Sequence, residues 1–254
     1  MQLRSRRRGL PEDGPEIVER HLAVWRLLDD DERRRLLVIT DRLLAGKRWE
    51  AAQGFTLDDT VRVVIAAQAA LLVLNLELEQ YRLVSGIIVH PSTLTFTGVS
   101  PGLVQGTISN EPLRVLGLAQ GGRGPVAVAW DEALAGAHGT VPGHNVVLHE
   151  FAHKLDMLDG NIDGTPLLPR EVRDDWVRIC TDVYADLVAG RPRPPMRWYG
   201  ATNPGEFFAV ATEVFFEQSS ELRDAEPDLY GVLARFYRQD PAVGGMGNPP
   251  TSDS

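Results

Sequence analysis

Cysteine is almost missing: Cys180 stands alone among 254 residues. One thiol forms no internal disulfide, so a disulfide-stapled secreted scaffold is excluded and a reducing cytoplasm fits best. Its neighbours Trp176, Val177 and Val183 mark it as a packed thiol rather than a nucleophile. Long apolar runs are missing too. The longest, residues 63–74, is interrupted by Gln68 and is too short to span a bilayer, so it reads as a buried helix. No apolar segment follows the basic cluster at residues 4–8, so no secretory leader is expected and the cluster reads as solvated tail. Positive charge is scarce: 26 Lys and Arg stand against 35 Asp and Glu, a net charge of -9. That balance argues against a general binder of nucleic acid or of membrane surfaces. The remaining composition, 43% hydrophobic and 24% charged, supports a sizeable core in one large domain or one domain with an extension.

The pattern along the chain predicts helices first. Residues 10–50 read as helical: Pro15 opens one helix, with Ile17, Val18, Leu22 and Trp25 as its apolar stripe, and Asp29 to Asp31 cap a second. Thr56 and Asp58 precede a third, the most apolar, reaching about Leu76. Strand signals follow at residues 87–89, 93–97, 113–118 and 126–130. Helices return at about residues 170–189, 204–218 and 227–238. The Gly, Pro and Ser-rich residues 244–254 read as disordered. Helices, then strands, then helices make an α+β protein. The expected division is a helical extension over residues 1–60, a catalytic domain with a small mixed sheet over 61–240, and a tail over 241–254.

The most informative segment is His149-Glu150-Phe151-Ala152-His153. Histidines four apart on a helix share one side, so two imidazoles can reach one zinc ion. The glutamate beside the first can then act as general base on a water at that ion. A catalytic zinc usually takes three protein ligands and keeps one position open. Two residues compete for the third place. Asp159 lies six residues past His153, but the glycine that would turn the chain back is replaced by Asp156, so Asp159 reads better as a helix-end or loop residue. Glu206 follows Asn203-Pro204, a helix start, where it could equally be a capping-box carboxylate. The stripe Phe207, Phe208, Ala211, Val214 and Phe215 would bury that helix against the motif helix, and a carboxylate at its inner edge is costly without a cation. Glu213, seven residues on, shares the face of Glu206 and reads equally as a residue orienting a ligand imidazole or as a solvated glutamate. His90, His138 and His144 could line the pocket, but lone histidines read more often as structural or exposed.

The segments at residues 149–160 (HEFAHKLDMLDG) and 203–213 (NPGEFFAVATE) resemble the zinc segments of the Mlc titration factor A peptidases, which are similar to the catalytic domain of anthrax lethal factor. Weaker matches at residues 10–13, 47–50, 65–70 and 124–130 extend the resemblance over roughly residues 10–240. It implies a zincin-like cytoplasmic metallopeptidase with one catalytic Zn2+ held by His149, His153 and Glu206. It also implies Glu150 as general base and Tyr199, seven residues before Glu206, as the tyrosine that hydrogen-bonds the oxyanion. The implied activity is hydrolysis of short peptides in the manner of an aminopeptidase, although no residue distinguishes exo- from endo-cleavage. The second reading is a regulatory protein. Members of that family bind a transcriptional repressor of sugar-uptake genes, and this chain would do the same with peptidase activity secondary or absent. Glu150 discriminates the two, because a structural zinc site needs no base and fills its fourth position.

Overall fold

A computed structural model describes residues 9–92 and 123–243. Three helices and a strand open the chain. α1 (Gly14–His21) carries Pro15 in its first turn and buries Ile17 and Val18. α2 (Asp30–Gly46) starts from a complete capping box: Asp29 accepts from the Glu32 amide, and the Glu32 carboxylate accepts from the Asp29 amide. β1 (Arg48–Ala51) follows directly, and then α3 (Asp59–Leu72), capped by Asp58. α3 is buried along nearly its whole length, as the apolar run at residues 63–74 predicts. Gln68 within it is tolerated because its amide donates to the Val64 and Ala133 carbonyls at 3.2 and 3.1 Å.

β2 (Val84–His90) pairs in parallel with β1, placing Trp49 opposite Ile87, and β3 (Gly124–Ala129) pairs in parallel with β2, placing Val126 opposite Ile87. The order is β1-β2-β3, with α3 as the crossover between the first two strands. Gly86 is required where β2 meets β1, because a Cβ there would sit 2.6 Å from the Arg48 carbonyl oxygen. The small sheet is present as expected, and every pairing among the described residues is parallel, so no mixed pairing is seen within them. Two of the strand candidates, residues 93–97 and 113–118, lie outside the described residues, as does the expected tail at 244–254. The helical reading of residues 10–50 is corrected at β1. That strand has only four residues and no alternation of burial, so periodicity does not reveal it.

Trp130, expected to end a strand, instead begins α4 (Trp130–Ala137), whose N-cap is Ala129 and carries no capping side chain. α5 (Val146–Asp156) bears the His-Glu-x-x-His motif and packs on α7, α3 and β3. α6 (Arg170–Val188) and α7 (Pro204–Glu217) match their expected spans. α8 (Ser219–Ala225), unpredicted, is separated from α7 by Gln218 alone, and α9 (Pro227–Tyr237) packs against it and against α6. One apolar core links residues from Ile17 to Tyr237. Cys180 is buried in it, and burial pushes its thiol up to about 12, so it is an inert packed group. No helix among the described residues is long and apolar enough to cross a membrane.

Candidate metal centre

The site is assembled where α5 lies against α7. α5 starts at Asn145, whose side-chain oxygen accepts from the Val147 and Leu148 amides at 3.1 Å each. This turns the helix so that His149 is buried, 1% exposed, toward α7, with His153 one turn further on. The imidazoles meet edge to face with centroids 4.8 Å apart.

α7 starts at Asn203, which accepts from the Glu206 amide at 3.0 Å, with Pro204 in the first turn. Its cap differs from that of α2. Among the described residues the Glu206 carboxylate makes no return bond to the cap; it reaches the two histidines instead. Glu206 Oε2 lies 3.0 Å from His149 Nε2, Glu206 Oε1 lies 3.6 Å from His153 Nε2, and the two Nε2 atoms are 3.2 Å apart. Glu206 Oε2 is buried and makes no hydrogen bond of ordinary geometry despite that 3.0 Å approach. A buried carboxylate oxygen aimed at a point shared with two imidazole nitrogens has the surroundings that a cation satisfies. His149, His153 and Glu206 form the one group among the described residues whose donor atoms converge well enough to hold a metal ion.

The electrostatics match. Burial alone would lower the His149 pKa, but contacts with Glu206 and Glu213 outweigh it and raise the pKa to about 9. Burial alone would raise the Glu206 pKa, and the two imidazoles outweigh it, holding the carboxylate well below its ordinary range. The protein therefore keeps Glu206 ionised in a buried place and surrounds it with basic nitrogen.

Glu213 decides its own two readings. It is fully buried, which removes the solvated alternative. Glu213 Oε1 lies 2.6 Å from His149 Nδ1, and Oε2 accepts from the Asn145 amide at 2.6 Å. His144 Nδ1 lies 3.2 Å from the same Oε2, and the Arg197 guanidinium donates to Oε1. Burial would raise the Glu213 pKa, but His144, His149 and Arg197 together hold it far below the usual value. Arg197 is the participant that the sequence did not announce, and His144, read there as a structural or exposed histidine, joins it half-buried. Arg197 is the N-cap residue of a 3-10 turn, Trp198–Ala201, and has no motif of its own.

Tyr199 lies in that same turn, half-buried, its ring centroid 6.0 Å from that of His149. Glu150 is half-buried beside His149, and its charge supports the ammonium of buried Lys154 against the lowering effect of burial. Asp159 stands apart from the metal-competent group. It is exposed and accepts from the Asn161 amide at 2.9 Å, a loop-bonding residue. α5 ends at Asp156, whose Oδ2 accepts from the Gly164 amide at 2.9 Å. Gly164 has φ 75°, and a Cβ there would sit 2.4 Å from the Pro204 carbonyl oxygen, so the loop from α5 passes directly over the start of α7. His138 is exposed against His21, with ring nitrogens 3.1 Å apart, and His90 is half-buried at the end of β2.

Comparison with known proteins points to a metallopeptidase family. The sequence profile of the family described as glucose-regulated metallo-peptidase M90 matches residues 1–238. An uncharacterized protein of Synechocystis sp. is 35% identical over 244 residues, covering 93% of this chain and 87% of its own. Mlc titration factor A of Serratia proteamaculans is 30% identical over 230 residues, covering 84% and 82%. Mlc titration factor A of Salmonella agona is 30% identical over 226 residues, covering 85% and 82%. With two histidines and a glutamate converging at its centre and the profile matching nearly end to end, the chain belongs to the glucose-regulated metallo-peptidase M90 family, alongside the Mlc titration factor A proteins.

Proposed function

We propose that the protein is a zinc-dependent peptidase of zincin-like fold, with His149, His153 and Glu206 as metal ligands. The observation that carries this is the set of donor separations: 3.2, 3.0 and 3.6 Å. Ligands arranged tetrahedrally at bonds of about 2.0–2.1 Å stand about 3.3 Å from one another. All-nitrogen and oxygen ligation by two imidazoles and a carboxylate suits zinc, with one position left for water or substrate.

When bound, the ion acts as a Lewis acid, acidifying a water and polarising the scissile carbonyl. The residues of the chain do the rest. Glu150, adjacent to the first ligand, takes the proton of the attacking water and delivers it to the leaving amine. The Tyr199 phenol donates a hydrogen bond to the tetrahedral oxyanion. Glu213 accepts a hydrogen bond from the Nδ1–H of His149, leaving its Nε2 lone pair free to ligate. An extended substrate would lie along β3, the strand against which α5 packs.

The relatives named Mlc titration factor A support a second reading, in which the protein also binds a repressor of that kind. The two roles coexist without conflict, and Glu150 favours retained hydrolysis. A peptide-library cleavage assay of the zinc-loaded protein, with a chelated control, tests the first reading. Chelator-sensitive cleavage is expected, with free-amino-terminal peptides preferred if it is an aminopeptidase. Cleavage that ignores the chelator, or none at all, defeats it. Gel filtration of a mixture with the repressor tests the second.

A further inference from the structure

Beside the first turn of α5 lies a cavity of about 240 Å³. It runs from an exposed rim at Ala23, Leu27 and His138 down to the buried side chains of Gln68, Asn145 and Leu148. Its walls are mostly apolar, and the acidic group on them is Glu217, the last residue of α7. Glu217 Oε1 accepts from the Asn145 side-chain amide at 3.0 Å, and no other hydrogen bond or ion pair to this carboxylate exists among the described residues. Oε2 lies near Gly139 in the cavity wall: a Cβ on Gly139 would stand 3.9 Å from it and 3.9 Å from the Ala23 methyl.

The contrast with Glu213, one turn back on α7, is informative. Glu213 has a guanidinium and two imidazoles, whereas Glu217 has only a neutral amide. Burial, partly opposed by the Asn145 amide and by His144 and aided by the charge of Glu213, pushes the Glu217 carboxyl up to about 7. A desolvated acid with no cation in contact is an unfavourable arrangement that a cationic ligand relieves.

We propose that this cavity binds a small organic cation, a primary amine on a compact apolar body, with the ammonium on Glu217 Oε2 and the body against Leu22, Val24, Leu71 and Phe216. The volume falls below the roughly 300–1,000 Å³ of sites for drug-sized ligands, which selects a single ring or short chain. The cavity shares no residue with the His149, His153 and Glu206 group, so the proposal stands independently of the peptidase reading.

Calorimetric titration of the zinc-loaded protein with benzylamine at pH 8 tests it, with benzyl alcohol and benzoate as uncharged and anionic counterparts. One benzylamine is expected to bind, with both counterparts at least tenfold weaker, the effect of one charge-assisted contact. Glu217→Gln is expected to weaken benzylamine roughly tenfold or more. Ala23→Phe, a change on the exposed rim that fills the cavity, is expected to weaken it similarly and decides the matter alone should the first variant fail to fold. Glu206→Ala is expected to leave the affinity unchanged. No binding, equal binding of amine and alcohol, undiminished binding in either cavity variant, or loss in Glu206→Ala (the amine sitting at the metal centre) each overturns the proposal.

Discussion

Glu213 Oε1 and His149 Nδ1 are 2.6 Å apart across the packed faces of α7 and α5, with neither side chain more than 2% exposed. This contact fixes the ring's orientation and turns Nε2 toward Glu206 and His153. It also joins the helix that supplies two candidate ligands to the helix that supplies the third.

Replacing Glu213 therefore acts on both folding and metal. Glu213→Ala leaves Arg197, His149 and the Asn145 amide without their shared acceptor. The expected loss is about 3–5 kcal/mol of stability and roughly 10–100-fold in metal affinity. Denaturant melts and competition with a chromogenic chelator measure the two. A wild-type metal affinity in the variant would remove the orienting role.

Glu206→Ala separates ligand from cap. The Asn203 side chain caps α7 through the Glu206 backbone amide, which the substitution retains. Metal occupancy by elemental analysis is expected to collapse. Full occupancy would show that the carboxylate is not a ligand.

Glu150→Ala is expected to keep its zinc and lose about 10²–10⁴-fold in turnover, the usual value of a positioned general base. Unchanged kcat in a zinc-replete variant refutes the assignment.

Tyr199→Phe is expected to lower kcat by about 10²–10³-fold with metal content intact, as removal of one oxyanion donor does. Arg197→Met, which frees the turn carrying Tyr199 from Glu213, is expected to reproduce part of that loss with little change in KM. Wild-type kinetics in both variants would place the tyrosine outside the reaction.

Asp156 supplies a pH signature. Burial, partly opposed by the Gly164 amide, raises its carboxyl from 3.8 to about 6. A carboxyl raised on folding contributes stability below its unfolded pKa, and that contribution is lost as pH rises through the folded value. Asp156→Asn carries no such penalty. Its stability relative to wild type is expected to improve by roughly 2 kcal/mol between pH 4 and pH 7.5. A difference independent of pH, measured by urea unfolding, would contradict this.

What was legible in the sequence follows from how local each signal is. α2, α5 and α7 announce themselves through Asp29, Asn145 and Asn203, because a cap acts within its own first turn. α4 lacks any such cap, so Val126 and Val128 hide its beginning by extending the strand pattern to Trp130. β1 is defined by its pairing with β2, a relation across 38 residues that four residues of sequence do not contain. The same division holds at the metal centre. The His149 and His153 pair is set by one turn of helix. Glu206 lies on a distant segment whose local sequence fits a cap as well as a ligand, and its convergence with the two imidazoles arises only where the α5 and α7 faces meet. Arg197 and His144 are present by tertiary packing alone, so nothing in their own neighbourhood marks them.

The amide of Asn145 has a reach beyond capping. Its Nδ2 donates to Gln68 on α3 and to Glu217 on α7, while its backbone nitrogen donates to Glu213. α5 is thereby pinned at its origin by two neighbouring helices and has no freedom to spin about its own axis. Sequence changes at position 68, whose side chain bonds Val64, Ala133 and Asn145 rather than either histidine, should consequently be felt as a change in how steadily the imidazoles are aimed.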